Sequence, residues 1–150
     1  MADTKLFDSA FPMKVGDVEF QASMLCDRDY GDMDLYLQSR YITMSVKATE
    51  LLDNPIQRQE IIDRALSNAT AVSWSSDEGR NFMQTIGAIQ QLGYLMIRKR
   101  HPRVSVKDFI AEFNKNPSES MSAVSLAFRY LNVESAGDAG GSSTGNDKSN

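Results

Sequence analysis

Residues 75–102, which read SSDEGRNFMQTIGAIQQLGYLMIRKRHP, decide the expected fold. Ser75 to Glu78 match the S-x-x-E pattern of a helix capping box, and two acids there suit the positive end of a helix dipole. Apolar positions then recur at three- and four-residue steps, which indicates the buried face of a helix. The helix should end near His101, because the residue before Pro102 is disfavoured in helical geometry. One helix of about 25 residues is therefore predicted.

Three glycines lie in this helix, Gly79 in its first turn and Gly87 and Gly93 in its interior. A glycine in an exposed helix interior costs about 1 kcal/mol relative to alanine. A glycine that stays in a helix at this cost is therefore expected to allow another element to approach closely. Close packing is predicted at both interior positions.

Shorter helical patterns lie on both sides. The first runs from about Asp32 to Asp53, and its recurring apolar side chains are predicted to face inward; they include Met33, Leu37, Tyr41, Met44 and Leu51. Asn54-Pro55 ends this helix and starts another, which runs to about Val72 with Leu66 inward, because asparagine caps helices and proline is tolerated at their first position. Ser105 and Asn116-Pro117 are predicted to start two further helices.

Two β-prone runs, Phe11 to Val15 and Val18 to Ala22, flank Gly16-Asp17 and predict a hairpin. The fold class expected is mainly α, a compact bundle of about five helices with a small N-terminal β-hairpin. These elements form one predicted domain, residues 1–133. Residues 134–150 are rich in glycine and serine and have no large apolar side chain, so a flexible tail is predicted.

Composition limits the function classes. The net charge of -4 argues against a general nucleic-acid binder, whose affinity depends on excess Lys and Arg. The single cysteine, Cys26, excludes an intramolecular disulfide and a zinc site with several thiolates. The N-terminus carries acid where a signal peptide needs a basic segment and an apolar run. A soluble, cytoplasmic protein without a membrane span is therefore predicted.

No residue forms a convincing catalytic, cofactor-binding or metal-binding site. His101, the only histidine, lies among four cations that favour its neutral form, so a structural role such as bonding the last helix carbonyls is predicted. Cys26 lacks an electropositive sequence neighbourhood and is interpreted as an inert thiol. The acids of CDRDYGDMD, residues 26–34, fail the EF-hand pattern at its fifth and twelfth positions, so an acidic turn that caps the first helix is predicted.

Charge is unevenly distributed along the chain. Residues 96–115 hold six cations against two carboxylates, whereas residues 1–34 hold eight carboxylates against three cations. The basic stretch has three interpretations: a solvated helix end favoured by the dipole, a surface for a protein partner, and a nucleic-acid contact. If a protein partner binds, the predicted contacts are Met83, Ile97, Arg98, Arg100 and Phe109.

Three local sequences support a family resemblance. They are AVSWSSDEG at residues 71–79, KRHP at the end of the long helix, and VKD at residues 106–108. Over residues 11–133 the chain resembles the tail assembly chaperones of long-tailed bacteriophages, in which a tryptophan, a capping stretch, a long helix and a His-Pro turn recur.

The resemblance implies a non-enzymatic assembly factor in the cytoplasm of the infected host cell. Its implied partners are the tape-measure protein, which it keeps soluble, and the tail-tube protein, and further copies of the chain are a third expectation. A longer product made by ribosomal frameshift is also implied, with the Gly/Ser tail as a tether. Two alternatives are a small structural component of the virion, such as a head–tail connector or capsid-associated protein, and a DNA-binding regulator.

Overall fold

The computed structural model describes residues 9–140, with side chains described up to residue 132. The described residues form a mainly α fold with a small N-terminal β-hairpin, as predicted. The strands and helices, in chain order, are β1 (Ala10–Val15), β2 (Val18–Ser23), α1 (Asp27–Thr49), α2 (Pro55–Ala69), α3 (Asp77–Phe82), α4 (Ile86–Ile97), α5 (Val106–Phe113) and α6 (Pro117–Gly140).

The hairpin has the predicted strands and turn. Antiparallel pairing sets Val15 opposite Val18, and Gly16 takes a positive φ of 62° in the turn, a conformation that glycine adopts at little cost. Met13 and Phe20, which pair across the strands, are buried, whereas Lys14 and Glu19, which pair on the opposite face, are exposed. The hairpin therefore buries one face.

The prediction of one long helix is wrong in one respect. The structure has two helices there, α3 and α4, which residues 83–85 separate. Thr85 explains the break. Its hydroxyl lies 2.6 Å from the Phe82 carbonyl oxygen, to which it donates, and also accepts from the Ala88 N–H at 3.3 Å. One side chain thus ends α3 and caps α4. The described residues consequently contain six helices where about five were predicted.

Most helix starts are fixed by a capping side chain that bonds to backbone N–H groups no more than three residues away. The Asn54 side chain accepts from the N–H groups of Ile56 and Gln57, and Ser105 forms a reciprocal capping box with Asp108. The cap of α3 is Ser76 rather than the predicted Ser75. The Ser76 hydroxyl accepts from the Gly79 N–H at 3.0 Å.

The contacts within the chain divide it into two units. The terminal unit comprises the hairpin up to Leu25 and the chain from Leu92 onward, and the central unit comprises residues 26–91. The core of the terminal unit includes fully buried side chains of α4, α5 and α6; they include Ile97, Phe109, Phe113 and Val124. Whether both units act as one domain, as predicted for residues 1–133, stays a prediction.

Gly93 lies within the terminal core, and its predicted close packing is confirmed. A Cβ atom at Gly93 would lie 2.7 Å from Phe109 Cζ and 2.8 Å from Val124 Cγ2. Gly87, in the central unit, is similar, since a Cβ atom there would lie 2.8 Å from the Tyr36 hydroxyl oxygen. Both glycines therefore let neighbouring side chains approach the helix backbone.

The central unit is built on α1 and α2. The Gln38 side chain donates to the Val72 carbonyl oxygen at 3.1 Å, which ties the middle of α1 to the chain just past α2. Trp74 stacks on Tyr30 with ring centroids 4.9 Å apart, and its N–H donates to Asp34 at 2.8 Å. These contacts hold the connection between α2 and α3 against α1.

The last helix extends beyond the predicted domain boundary. α6 continues to Gly140, so residues 134–140 of the predicted flexible tail are helical. The remainder of that predicted tail, residues 141–150, lies outside the described residues, as do residues 1–8.

Candidate partner-binding surface

The second half of α1, the first part of α2 and the turn between them are largely exposed to solvent. We call residues 42–66 the distal hairpin. Within it only Thr49 and Ala65 are buried, although α1 and α2 pack against each other there. The large apolar side chains left exposed are Met44, Val46, Leu51, Ile56 and Leu66. Exposed apolar side chains are candidates for partner contacts where they adjoin one another.

One stripe of α1 shows where this coverage ends. Met33, Leu37 and Met44 lie on one helix face, because their spacings of four and seven residues are close to whole turns. Met33 and Leu37 are buried, but Met44 is 50% exposed and Leu51, just past the helix, is 90% exposed. The predicted inward stripe is therefore confirmed at its start and wrong at its end. The predicted burial of Leu66 is also wrong.

Met83 is the one predicted partner contact in the central unit. It is half-buried in the turn between α3 and α4, directly after Phe82. The Phe82 ring is edge-on to Tyr41, with centroids 6.5 Å apart. Tyr41 lies between Leu37 and Met44 along α1, so this turn contacts α1 at the level where the covered part of the stripe gives way to the exposed part.

Two other predicted contacts are core residues of the terminal unit. Ile97 and Phe109 have no exposed surface. The Phe109 ring packs among Phe20, Tyr94 and Phe113, with centroid distances of 5.6, 6.5 and 6.3 Å. These two side chains are not available to a partner in the folded chain, and the prediction is corrected accordingly. Periodicity alone could not tell the inward face from the outward one.

The two predicted arginines differ. Arg98 is half-buried and Arg100 is exposed. The Arg100 guanidinium Nε donates to the Ser23 hydroxyl at 2.7 Å, so this side chain ties the end of α4 to β2. Part of the basic stretch thus has a structural role inside the terminal unit. A partner contact by either arginine stays a prediction.

His101 also joins the end of α4 to the hairpin. Its Nε2 accepts a hydrogen bond from the Gln21 backbone N–H at 2.9 Å, and its ring is edge-on to Phe20 at 5.3 Å. An Nε2 atom that accepts must be unprotonated. The role is structural, as predicted, but the partner is β2 rather than the last carbonyls of α4.

We expect His101→Phe to lower the free energy of unfolding by about 1–2 kcal/mol, because an aromatic ring remains beside Phe20 while the Gln21 N–H loses its acceptor. Urea unfolding measures the change. Lys99→Ala, at the exposed neighbouring position, is the control and should change stability by less than about 0.5 kcal/mol. Equal stability of His101→Phe and the natural protein would show that this bond contributes nothing.

Residues of the acidic N-terminal region and of the basic stretch meet at the turn of the β-hairpin. The Lys115 ammonium lies 2.9 Å from the Glu112 carboxylate and 3.4 Å from that of Asp17, and Glu112 also accepts from the Asp17 N–H at 3.1 Å. The hydrogen bond donated by the Lys115 ammonium lowers the pKa of the Glu112 carboxyl, and the bond donated by the Asp17 N–H lowers it further. The bond between Lys115 and Glu112 also raises the pKa of Lys115. The predicted charge segregation is therefore partly offset within the terminal unit.

The acidic segment at residues 26–34 serves local structure. An Asp29 carboxylate oxygen accepts from the Cys26 N–H at 2.9 Å at the start of α1, and Asp34 accepts from the Trp74 N–H. The Cys26 side chain is exposed. Among residues 9–140, no group of three or more His, Cys, Asp or Glu side chains is arranged to hold a metal ion.

A shallow depression lies beside the cap of α3. Its volume is about 270 Å³, and it is lined by Asn68, Ala71, Val72, Ser76, Asp77 and Glu78. Ser76 is already used, since its hydroxyl bonds to Ser73 and Gly79. The Asp77 side chain is almost fully exposed and pairs with Arg80 at 3.8 Å. Two of the lining side chains are therefore engaged in contacts at the start of α3.

Comparisons with protein-family models, with curated proteins and with solved structures each found no match to this chain. The helices between residues 9 and 140 include none with the length and apolarity to cross a membrane.

Proposed function

We propose that this protein is a non-enzymatic assembly chaperone that holds an amphipathic helix of a client protein on the distal hairpin. A client helix bound there would cover apolar side chains that α1 and α2 leave in water, as in other helix-in-groove complexes. The observation that carries the proposal is the stripe of α1, which is buried at Met33 and Leu37 and exposed at Met44 and Leu51.

The resemblance to the tail assembly chaperones of long-tailed bacteriophages names the proposed client. It is the tape-measure protein, a long helical protein that needs protection until tail-tube subunits polymerise around it. The proposed site of action is the host cytoplasm. Exposed methionine suits this role, because its flexible side chain adapts to different apolar surfaces.

Co-expression with the tape-measure protein of the same phage tests the proposal. The natural chain should keep the client soluble and co-purify with it. Met44→Asp combined with Leu51→Asp should abolish both effects, because each carboxylate would have to be desolvated on binding. The soluble client fraction, measured after centrifugation, gives the result.

Leu126→Asp supplies a matched control. Leu126 is 58% exposed on α6 in the terminal unit, so the substitution has similar chemistry outside the distal hairpin. It should leave client solubility unchanged. A client that is as insoluble with the natural chain as without it would refute the proposed function, whereas equal loss with all variants would place binding elsewhere.

A further inference from the structure

The second half of α1 and the turn that follows it carry two cations as well as two exposed apolar side chains. Arg40 precedes Met44 by four residues, Lys47 follows it by three, and Leu51 follows Lys47 by four. Arg40, Met44 and Lys47 are neighbours on one face of α1 at these spacings, and Leu51 lies two residues past the end of the helix. In sequence order the four side chains alternate cation, apolar, cation, apolar. We call these four side chains the α1 row.

The two cations of this row do not form ion pairs with any of the residues that the structure describes. Elsewhere Lys115 pairs with Glu112, and Arg80 pairs with Asp77. Lys47 is exposed, and Arg40 is half-buried next to Tyr36. Burial raises the pKa of the Tyr36 hydroxyl, and the positive charge of Arg40, four residues along α1, partly offsets this. The positive charges of the row are thus available to a partner.

The row also has a seven-residue period. Arg40 and Lys47 are seven residues apart, and so are Met44 and Leu51. A helix that packs along α1 at a small crossing angle meets it with this period, which is the repeat of heptad-patterned helices. A client helix with apolar residues every seventh position would place them over Met44 and Leu51. The residues that flank them would then face Arg40 and Lys47.

We infer that the α1 row binds a heptad-patterned amphipathic helix whose recurring flank positions carry glutamate or aspartate. This inference rests on the proposed function and specifies the chemistry of the client. The apolar contacts supply affinity, and the two ion pairs select acidic helices and fix their register on α1. A helix with lysine at the same positions is disfavoured by like-charge repulsion.

Two labelled synthetic peptides of about four heptads test the inference. They share the same apolar positions and differ only in having glutamate or lysine at the flank positions. Fluorescence anisotropy at low salt should show the acidic peptide binding roughly 3- to 10-fold more tightly, because two exposed ion pairs contribute about that much. The preference should shrink as salt is added, since salt screens exposed charges.

Charge reversal provides the decisive variant. Arg40→Glu combined with Lys47→Glu should invert the preference, so that the lysine peptide binds more tightly. Lys107→Glu combined with Arg129→Glu changes net charge equally at exposed positions outside both the row and the distal hairpin, and should leave the preference unchanged. Circular dichroism confirms that both double variants keep their helices.

The outcomes separate this inference from the proposed function. Equal binding of both peptides, lost in the Met44→Asp and Leu51→Asp variant, overturns the inference and leaves the docking site standing. Tighter binding of the lysine peptide by the natural chain also overturns it. Binding of neither peptide overturns the inference and the use of this row for docking, while the tape-measure co-expression experiment decides separately whether the protein is a chaperone.

Discussion

Phe109→Ala should lower the free energy of unfolding by about 3–5 kcal/mol, the cost expected for deleting a fully buried aromatic ring. Phe109 has no exposed surface and lies among three aromatic rings contributed by β2, α4 and its own helix α5. Its removal would leave a cavity that these neighbours cannot close without moving backbone elements. Urea unfolding followed by circular dichroism measures the loss.

Leu126→Ala is the control for this substitution. Leu126 is an apolar residue of α6 that is 58% exposed, so its truncation should cost less than about 1 kcal/mol. If Phe109→Ala does not fold, Phe109→Leu keeps most of the volume and should give a measurable loss of about 1–2 kcal/mol. A loss no larger than that of Leu126→Ala would contradict the core position of Phe109.

Gly93→Ala should lower the free energy of unfolding by about 1–3 kcal/mol, although alanine is the better helix former. The new methyl group would lie 2.7 Å from Phe109 Cζ and 2.8 Å from Val124 Cγ2. Both neighbours are fully buried, so neither has free space to move into. Overpacking should therefore exceed the gain in helix propensity.

Gly31→Ala is the comparison, and its expected change in the free energy of unfolding has the opposite sign. Gly31 also lies inside a helix, α1, but a Cβ atom there would have no neighbour within 4 Å. That substitution should raise the free energy of unfolding by about 0.5–1 kcal/mol. Thermal and urea unfolding of both variants measure the difference. Stabilisation by Gly93→Ala would show that α4 is not packed closely at this position.

Partner binding offers a second readout for Phe109. The sequence suggested it as a partner contact, whereas the structure places it in the core of the terminal unit. Phe109→Leu should consequently change stability while leaving peptide binding by the α1 row unchanged. Met44→Asp should weaken peptide binding by the α1 row while leaving stability unchanged, because half of the Met44 side chain is already in water.

Local sequence patterns predicted the elements whose determinants are close together in the chain. The Gly16-Asp17 turn, the Asn54 cap and the Ser105–Asp108 box were all recognisable. Their chemistry is satisfied mostly by groups within three residues, so little tertiary information is needed. Thr85 carried a signal of the same kind, since threonine is a good cap, but the continuous apolar spacing around it favoured one uninterrupted helix.

Other assignments required contacts between distant residues. The sequence placed Met44 and Leu51 on the same inward stripe as Met33 and Leu37, because periodicity identifies a face and not what covers it. It also suggested Ile97 and Phe109 as outward contacts. The partner of the His101 ring, the Gln21 N–H, is 80 positions earlier, a distance at which no spacing rule applies.

The sequence by itself therefore determined the fold class, the hairpin and most helix starts, because these depend on backbone groups and caps only a few residues apart. The tertiary structure alone decided which apolar faces are buried and which remain in water. That difference depends on where the other helices end, and α1 extends beyond the elements that cover its first half. The exposed apolar side chains of the distal hairpin, the proposed docking site, are the consequence.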